Sequence, residues 1–376
     1  MKATIRIAGT AGLALAASAL IAGPASASTT AANGAGAVFA MSDNLSGNTV
    51  VAFDRGANGG LHQAAVYPTG GLGGQLVGSV VDHTASQGAL ALDRASGLLY
   101  AVNAGSDTVT VFDVHGDRLG KRQVISSGGA FPVSIAVHGN LVYVLNARDG
   151  GSIQGYLRLG RTLVKVRGWH RALGLDPAAT PEFTHTPGQI AFTPDGSRLV
   201  VTTKAGSNAI DVFSVDRLHG PSARPVVNVE AGAVPFAVAF DAGGHLVVAE
   251  AGTNAVATFA VNRDNSLTPL ATASTGQAAT CWIVGTGGAV YAGNAGSGNL
   301  SGYRVARSGS LTSLGTFATG AGQVDVAAPP DGRYLYAQTG ASGGVVALRV
   351  NRDGSLTPVG AVTVPGAVGG EGIVAS

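Results

Sequence analysis

A tract of about 45 residues recurs along nearly the whole chain, and no other feature restricts its fold so strongly. Each copy reads as an apolar run, a turn, Leu-Tyr-Ala/Val-x-Asn, a Gly/Ser/Asp turn, an alternating strand and a polar turn. Six copies occupy 88–114, 134–159, 189–215, 237–261, 281–305 and 325–350, and 37–55 is a partial one. Short strands punctuated by Gly, Asn and Asp at this period predict an all-β fold, a β-propeller.

The partial copy lacks its first strand, and the chain ends in Gly370-Glu371-Gly372-Ile373-Val374-Ala375-Ser376, which reads as a lone first strand. We therefore expect seven blades, with the C-terminal strand completing the first. Closure of this kind removes two exposed strand edges, and Ile373 and Val374 should each contribute ~1.5–3 kcal/mol if fully buried. Asp195-Gly196, Asp331-Gly332 and Asp353-Gly354 suggest two-residue hairpins, and no segment reads as a helix. Insertions at 72–86 and about 165–186 break the period before the second and fourth blades. They fall on the face where ligands of such rings usually bind.

Residues 1–27 carry Lys2 and Arg6, an apolar stretch from Ile7 to Ile21 and Ala25-Ser26-Ala27, the pattern of a secretory signal. We expect 28–36 to be a linker, 37–376 the propeller, and the mature protein to be secreted and extracellular. Loss of Lys2 and Arg6 leaves a neutral chain with 21 acidic residues matched by as many basic ones. No electrostatic footprint for nucleic acid or membrane remains; a small-molecule ligand or substrate is expected, the alternative being a ligand- or protein-binding propeller. A closed ring offers no edge for assembly and reads as a monomer. The single cysteine, Cys281, cannot form an internal disulfide.

Candidate chemistry lies in two rings of equivalent positions. The ends of the second strands supply Ser42, Asn103, Asn146, Thr203, Glu250, Asn294 and Thr339. Asparagines there either cap their own turns or, with Glu250, offer oxygens to a hard cation such as calcium. Glu250 is the position where a charge replaces the usual Asn, so it reads as a base, a ligand or the partner of a cation such as Lys204. The starts of the first strands include Gln189, Cys281 and Asp325, with Trp282 beside the thiol. Gln189 and Asp325 suit either a ligand or a water-filled channel. The second insertion carries Trp169, His170, Arg171, Glu182 and His185, read as a lid or as a solvated loop with one aromatic anchor. Asp82 and His83 in the first insertion repeat that pattern. No resident cofactor is expected, and no catalytic triad, cysteine metal site or phosphate loop is written in the chain.

Ser86-Gln87-Gly88-Ala89-Leu90, Val102-Asn103-Ala104-Gly105-Ser106, Phe192-Thr193-Pro194-Asp195-Gly196 and Ala279-Thr280-Cys281-Trp282 resemble the seven-bladed lactonase-like family. That family includes 6-phosphogluconolactonases of the propeller type and 3-carboxymuconate lactonizing enzymes, and the likeness is closest to its secreted members. The resemblance covers 37–376 and implies a hydrolase of carbohydrate metabolism or a related cyclase. Its enzymes use histidine, arginine and glutamate on the axial face, often with a Gly-Pro-Arg-His-like segment. Here the matching residues are Thr186-Pro187-Gly188-Gln189, without the Arg-His pair. The resulting expectation is hydrolysis of a small lactone with Glu250 as base and Lys204, Arg171 or His185 assisting. The alternative is a binding propeller without catalysis.

Overall fold

The inner strands are nearly continuous apolar runs, as in Leu98–Asn103 and Leu141–Asn146, where every residue is buried. The outer strands alternate, as in Arg118–Ser126. The difference follows from packing: an inner strand is covered on both faces by neighbouring sheets, an outer one on about half its surface. The computed structural model describes residues 36–376; residues 1–27, read as a secretory signal, and nearly all of the expected linker lie outside them.

Seven antiparallel sheets result, each built from strands consecutive in the chain except where the termini meet. Their innermost strands are Ile373–Ala375, Leu90–Asp93, Pro132–His138, Ile190–Phe192, Pro235–Phe240, Thr280–Thr286 and Gln323–Ala327, defining blades 1 to 7. Ile373–Ala375 pairs antiparallel with Gly36–Met41, placing Val38 opposite Ala375 and Ala40 opposite Ile373. The seven-bladed ring is thus closed by the C-terminal strand. Ile373 is 4% exposed, whereas Val374 is only half-buried and stabilises closure less than expected.

Tyrosines recur at the third residue of second strands: Tyr100, Tyr143, Tyr291 and Tyr336, all fully buried. Tyr291 donates to the Gly354 carbonyl at 2.8 Å and Tyr336 to Gly59 at 3.1 Å, each reaching a turn of the next blade. These bonds fix blade orientation as well as burying rings.

Three expectations are corrected. The Asp-Gly turns are longer than two residues: Asp195, Asp331 and Asp353 each accept the backbone N–H two residues on, and Gly196, Gly332 and Gly354 take positive φ. A short helical turn does form, at Glu182–His185. The segment from 165 to 172 is not a loop but the end of the outer strand Thr162–Ala172 in blade 3, so the second insertion begins at about residue 173.

Candidate functional site

The first insertion crosses the mouth of the ring rather than looping over the rim. Gln87 pairs twice with the backbone of Ile283 in blade 6, its Nε2 donating to the carbonyl and its Oε1 accepting the N–H, both at 2.8 Å. Trp282 Nε1 donates to the Ser86 carbonyl at 2.7 Å, and Ser86 Oγ donates to Val133 O in blade 3 at 2.9 Å. The His83 N–H meets Gly369 O at 2.8 Å, just before the closing strand. The fit at the other edge requires glycine: a Cβ on Gly340 would lie 1.7 Å from the Val81 carbonyl oxygen.

Three buried carboxyl groups collect beneath this segment. Asp82 Oδ1 accepts from Thr84 N, Thr84 Oγ1 and Ala85 N, each at 2.9 Å, and Oδ2 from Ser86 N at 3.0 Å. Glu371 accepts from Gly88 N at 3.0 Å, and its Oε2 lies 3.2 Å from the hydroxyl oxygens of Thr84 and Ser86. Asp325 Oδ2 accepts the Ile373 N–H at 3.0 Å. Burial raises the pKa of all three, most strongly for Glu371, where the charges of Asp325 and Asp82 add to desolvation. Each carboxyl pins a different piece of the ring closure: insertion, blade 7 and terminal strand.

Lys204 is the only buried lysine among the described residues and adopts φ +48°. Its Nζ meets Ala85 O at 2.7 Å, Phe183 O at 2.6 Å and Thr186 Oγ1 at 3.0 Å, joining the two insertions. Burial lowers its pKa to about 7, against the opposing pull of Asp82, Cys281 and Glu182. Both protonation states are satisfied there. A neutral amine can donate to the two carbonyls and accept from the Thr186 hydroxyl.

Between the insertions and the innermost strands of blades 5 and 6 lies a pocket of ≈ 190 Å³, walled by Phe183, Phe236, Trp282, Val80, Val81 and Ala85. Cys281 and Asp82 also line it. Phe236 and Trp282 meet edge to face with centroids 5.1 Å apart. The Cys281 thiol is pushed up to about 12 by burial, which keeps it protonated and unreactive. A second, more polar cleft of ≈ 150 Å³ contains Arg148, Asp176, Glu182 and His185. Its arginine is already engaged, with Glu182 at 2.7 Å and Gln75 O at 3.2 Å.

The sequence-derived candidates divide sharply. Trp282 faces the pocket, and Lys204 supports it from behind a Phe236 ring 5.4 Å away. Glu250 is buried at its strand end, holds Thr253 Oγ1 at 3.0 Å and has a pKa raised by burial and by Glu230; it does not line the pocket. Arg171 points to the outer edge of blade 4, bonding the carbonyls of Ser222 at 2.8 Å and Pro221 at 2.5 Å. Neither Glu250 nor Arg171 lines the pocket, so neither is placed there to act with Lys204 or the other candidates. His185 bonds Pro181 O at 2.9 Å within its helical turn and belongs to the polar cleft. Gln189 bridges blades, its Oε1 accepting Val238 N at 2.6 Å, and Asp325 Oδ2 holds the closing strand at Ile373 N.

The asparagines make structural bonds, and Asn103 Oδ1 also accepts from Asn48 Nδ2 in blade 1 at 3.2 Å. Asn103 donates to Thr108 and Thr110, Asn146 to Ser127 O and Ser152, and Asn294 to Asn299 and Ser301. Among the described residues no three His, Cys, Asp or Glu side chains are placed to hold a metal ion. Sequence reasoning missed Glu371, whose signal was a charge between two glycines at the start of an apolar strand. It also undervalued Asp82 and Gln87, whose partners are far away in the chain.

Seven blades, closure by the C-terminal strand and a pocket under two insertions define a closed seven-bladed β-propeller. A candidate 6-phosphogluconolactonase from Bacteroides fragilis matches 93% of this chain and 99% of its own at 17% identity, with a TM-score of 0.71. The periplasmic gluconolactonase PpgL of Pseudomonas aeruginosa matches 90% and 98% at 17% identity, also with a TM-score of 0.71. Virginiamycin B lyase of Staphylococcus aureus matches 76% and 87% at 10% identity, with a TM-score of 0.54. No protein-family model and no curated protein sequence matches the chain. At these identities the shared property is the fold, which hosts more than one chemistry.

Proposed function

We propose that this protein is an exported lactonase-like propeller that receives a small lactone in the axial pocket and hydrolyses it there. The observation that carries the reading is an acidic residue, Asp82, among the residues lining an otherwise apolar, aromatic-lined pocket. Its Oδ1 is filled by three donors, while Oδ2 accepts Ser86 N and retains a lone pair for a water. Burial raises its pKa and so strengthens it as a base.

In the proposed reaction Asp82 takes a proton from that water as the oxygen attacks the lactone carbonyl. Collapse of the adduct breaks the ring C–O bond, and Asp82 returns the proton to the leaving oxygen, giving a hydroxy acid. General-base help of this kind contributes roughly 10²–10⁴-fold. No Lys, Arg or His lines the pocket to stabilise an oxyanion, so the suited substrates are lactones with a good leaving group.

One observation favours a binding protein without turnover: the polar groups around the pocket, Lys204 above all, are already occupied. A lactone panel followed by product analysis separates the readings. Hydrolysis by wild type that falls about 100-fold or more in Asp82→Asn, with the variant still melting cooperatively, supports the Asp82 mechanism. An unchanged rate removes Asp82 from it, and no hydrolysis of any lactone leaves the binding reading.

A further inference from the structure

The lactonases that share this fold are named for sugar lactones, one of them phosphorylated. The axial pocket here is built for something else. We infer that it takes an uncharged, largely apolar ring compound, which under the lactonase reading is an aromatic lactone. The word lactone rests on that reading; the apolar, uncharged character rests on the pocket itself.

Size comes first. An apolar cavity of about 150 Å³ accommodates benzene, so ≈ 190 Å³ holds one ring with a small fused or attached group. Shape agrees with this. Trp282 and Phe236 stand edge to face, and the indole is anchored by its bond to Ser86, so a flat ligand meets a preformed aromatic wall. Ala85, Ala279 and Ala295 keep the remaining walls shallow.

Charge then narrows the class. A phosphate or carboxylate entering this space would lose its hydration beside Asp82 with no cation in the lining to replace it. Lys204 offers no rescue, because its Nζ already meets three oxygens and burial brings its pKa to about 7. Arg148, in the other cleft, is spent on Glu182. The pocket mouth continues the apolar character: Val80, in the lining, is 80% exposed, and Val77 on the same insertion is 70% exposed. Exposed valines beside a concave apolar surface suit a ligand that is apolar on entry as well as when bound.

Calorimetry on the mature protein tests this, with dihydrocoumarin as the uncharged aromatic lactone and glucono-δ-lactone and 6-phosphogluconate as polar and anionic probes. Saturable dihydrocoumarin binding with a negative heat-capacity change, and much weaker binding of both sugar compounds, is the expected result. Ala295→Leu fills the pocket and should weaken dihydrocoumarin about 10-fold or more. Val80→Glu, at an exposed site that does not threaten folding, should weaken it too. Preference for 6-phosphogluconate, absence of dihydrocoumarin binding, or binding indifferent to both substitutions overturns the inference. Product analysis of the same samples keeps the two readings apart. Dihydrocoumarin bound but not hydrolysed removes catalysis and leaves the inference, whereas turnover of sugar lactones without dihydrocoumarin binding does the reverse.

Discussion

Gln87 reaches Ile283 across the ring, matching both its amide atoms to the backbone of a strand 196 residues away. One side chain thereby acts as a peptide unit, completing the hydrogen bonding of blade 6 and holding the first insertion over the axis. Gln87→Ala should leave the Ile283 N–H and carbonyl unpaired and cost roughly 2–5 kcal/mol in urea unfolding. A loss below about 0.5 kcal/mol would mean that water replaces the side chain at no cost.

Removing residues 370–376 should lower Tm strongly and promote aggregation. The deletion exposes the inner edge of Gly36–Met41 and strips Ile373 from its packing. It also removes Glu371, leaving the Gly88 N–H without its acceptor. A melt like that of the intact chain would show that closure contributes little.

The carboxyl cluster gives closure a definite pH dependence. Burial and neighbouring carboxylates raise the Glu371 pKa well above 4.5 in the folded protein. The stability it contributes is therefore full below about pH 4.5 and declines as pH rises through the higher folded value. Lys204 acts with the opposite slope, since its folded pKa of about 7 lies below the ordinary 10.5 and favours folding as pH rises above 7. Glu371→Gln should remove the first component and make stability less sensitive to alkalinisation. A wild-type pH profile reproduced by the variant would contradict the assignment.

Cys281 should be nearly inert to thiol reagents in the native state. With its pKa pushed up to about 12, roughly one thiol in 10⁴ is ionised at pH 8. Labelling with a chromogenic disulfide is expected to be slow until denaturant is added, and Cys281→Ser should retain lactone hydrolysis. Rapid native labelling, or loss of turnover in the serine variant, would reinstate the thiol as a nucleophile.

Export should remove the first 27 residues. N-terminal sequencing of protein recovered from the medium of an expressing cell is expected to begin at Ser28. Retention of Met1 in the cell would contradict the secretory reading of the leader.

Much of the fold was legible because its causes are local and repeated. Leu-Tyr-Ala-Val-Asn at 99–103 and its counterparts state strand, buried tyrosine and turn in five residues, and the missing first strand at 37–55 states closure. The site was legible only in part. Lys204 and Trp282 stood out by chemistry or position, but Glu250, at a strand end, and Arg171, read as part of the second insertion, were assigned to one centre because both are charged. The structure gives Arg171 two carbonyls on the rim of blade 4 and Glu250 a threonine three residues away.

The amino-acid order by itself determined the number of blades, their strands and the strand that seals the ring, since each follows from periodicity within about 45 residues. Tertiary structure alone decided which polar groups meet. Asp82, Asp325 and Glu371 are scattered along the chain, and only ring closure brings them together out of water. There burial and mutual repulsion, absent from any local stretch, set their ionisation.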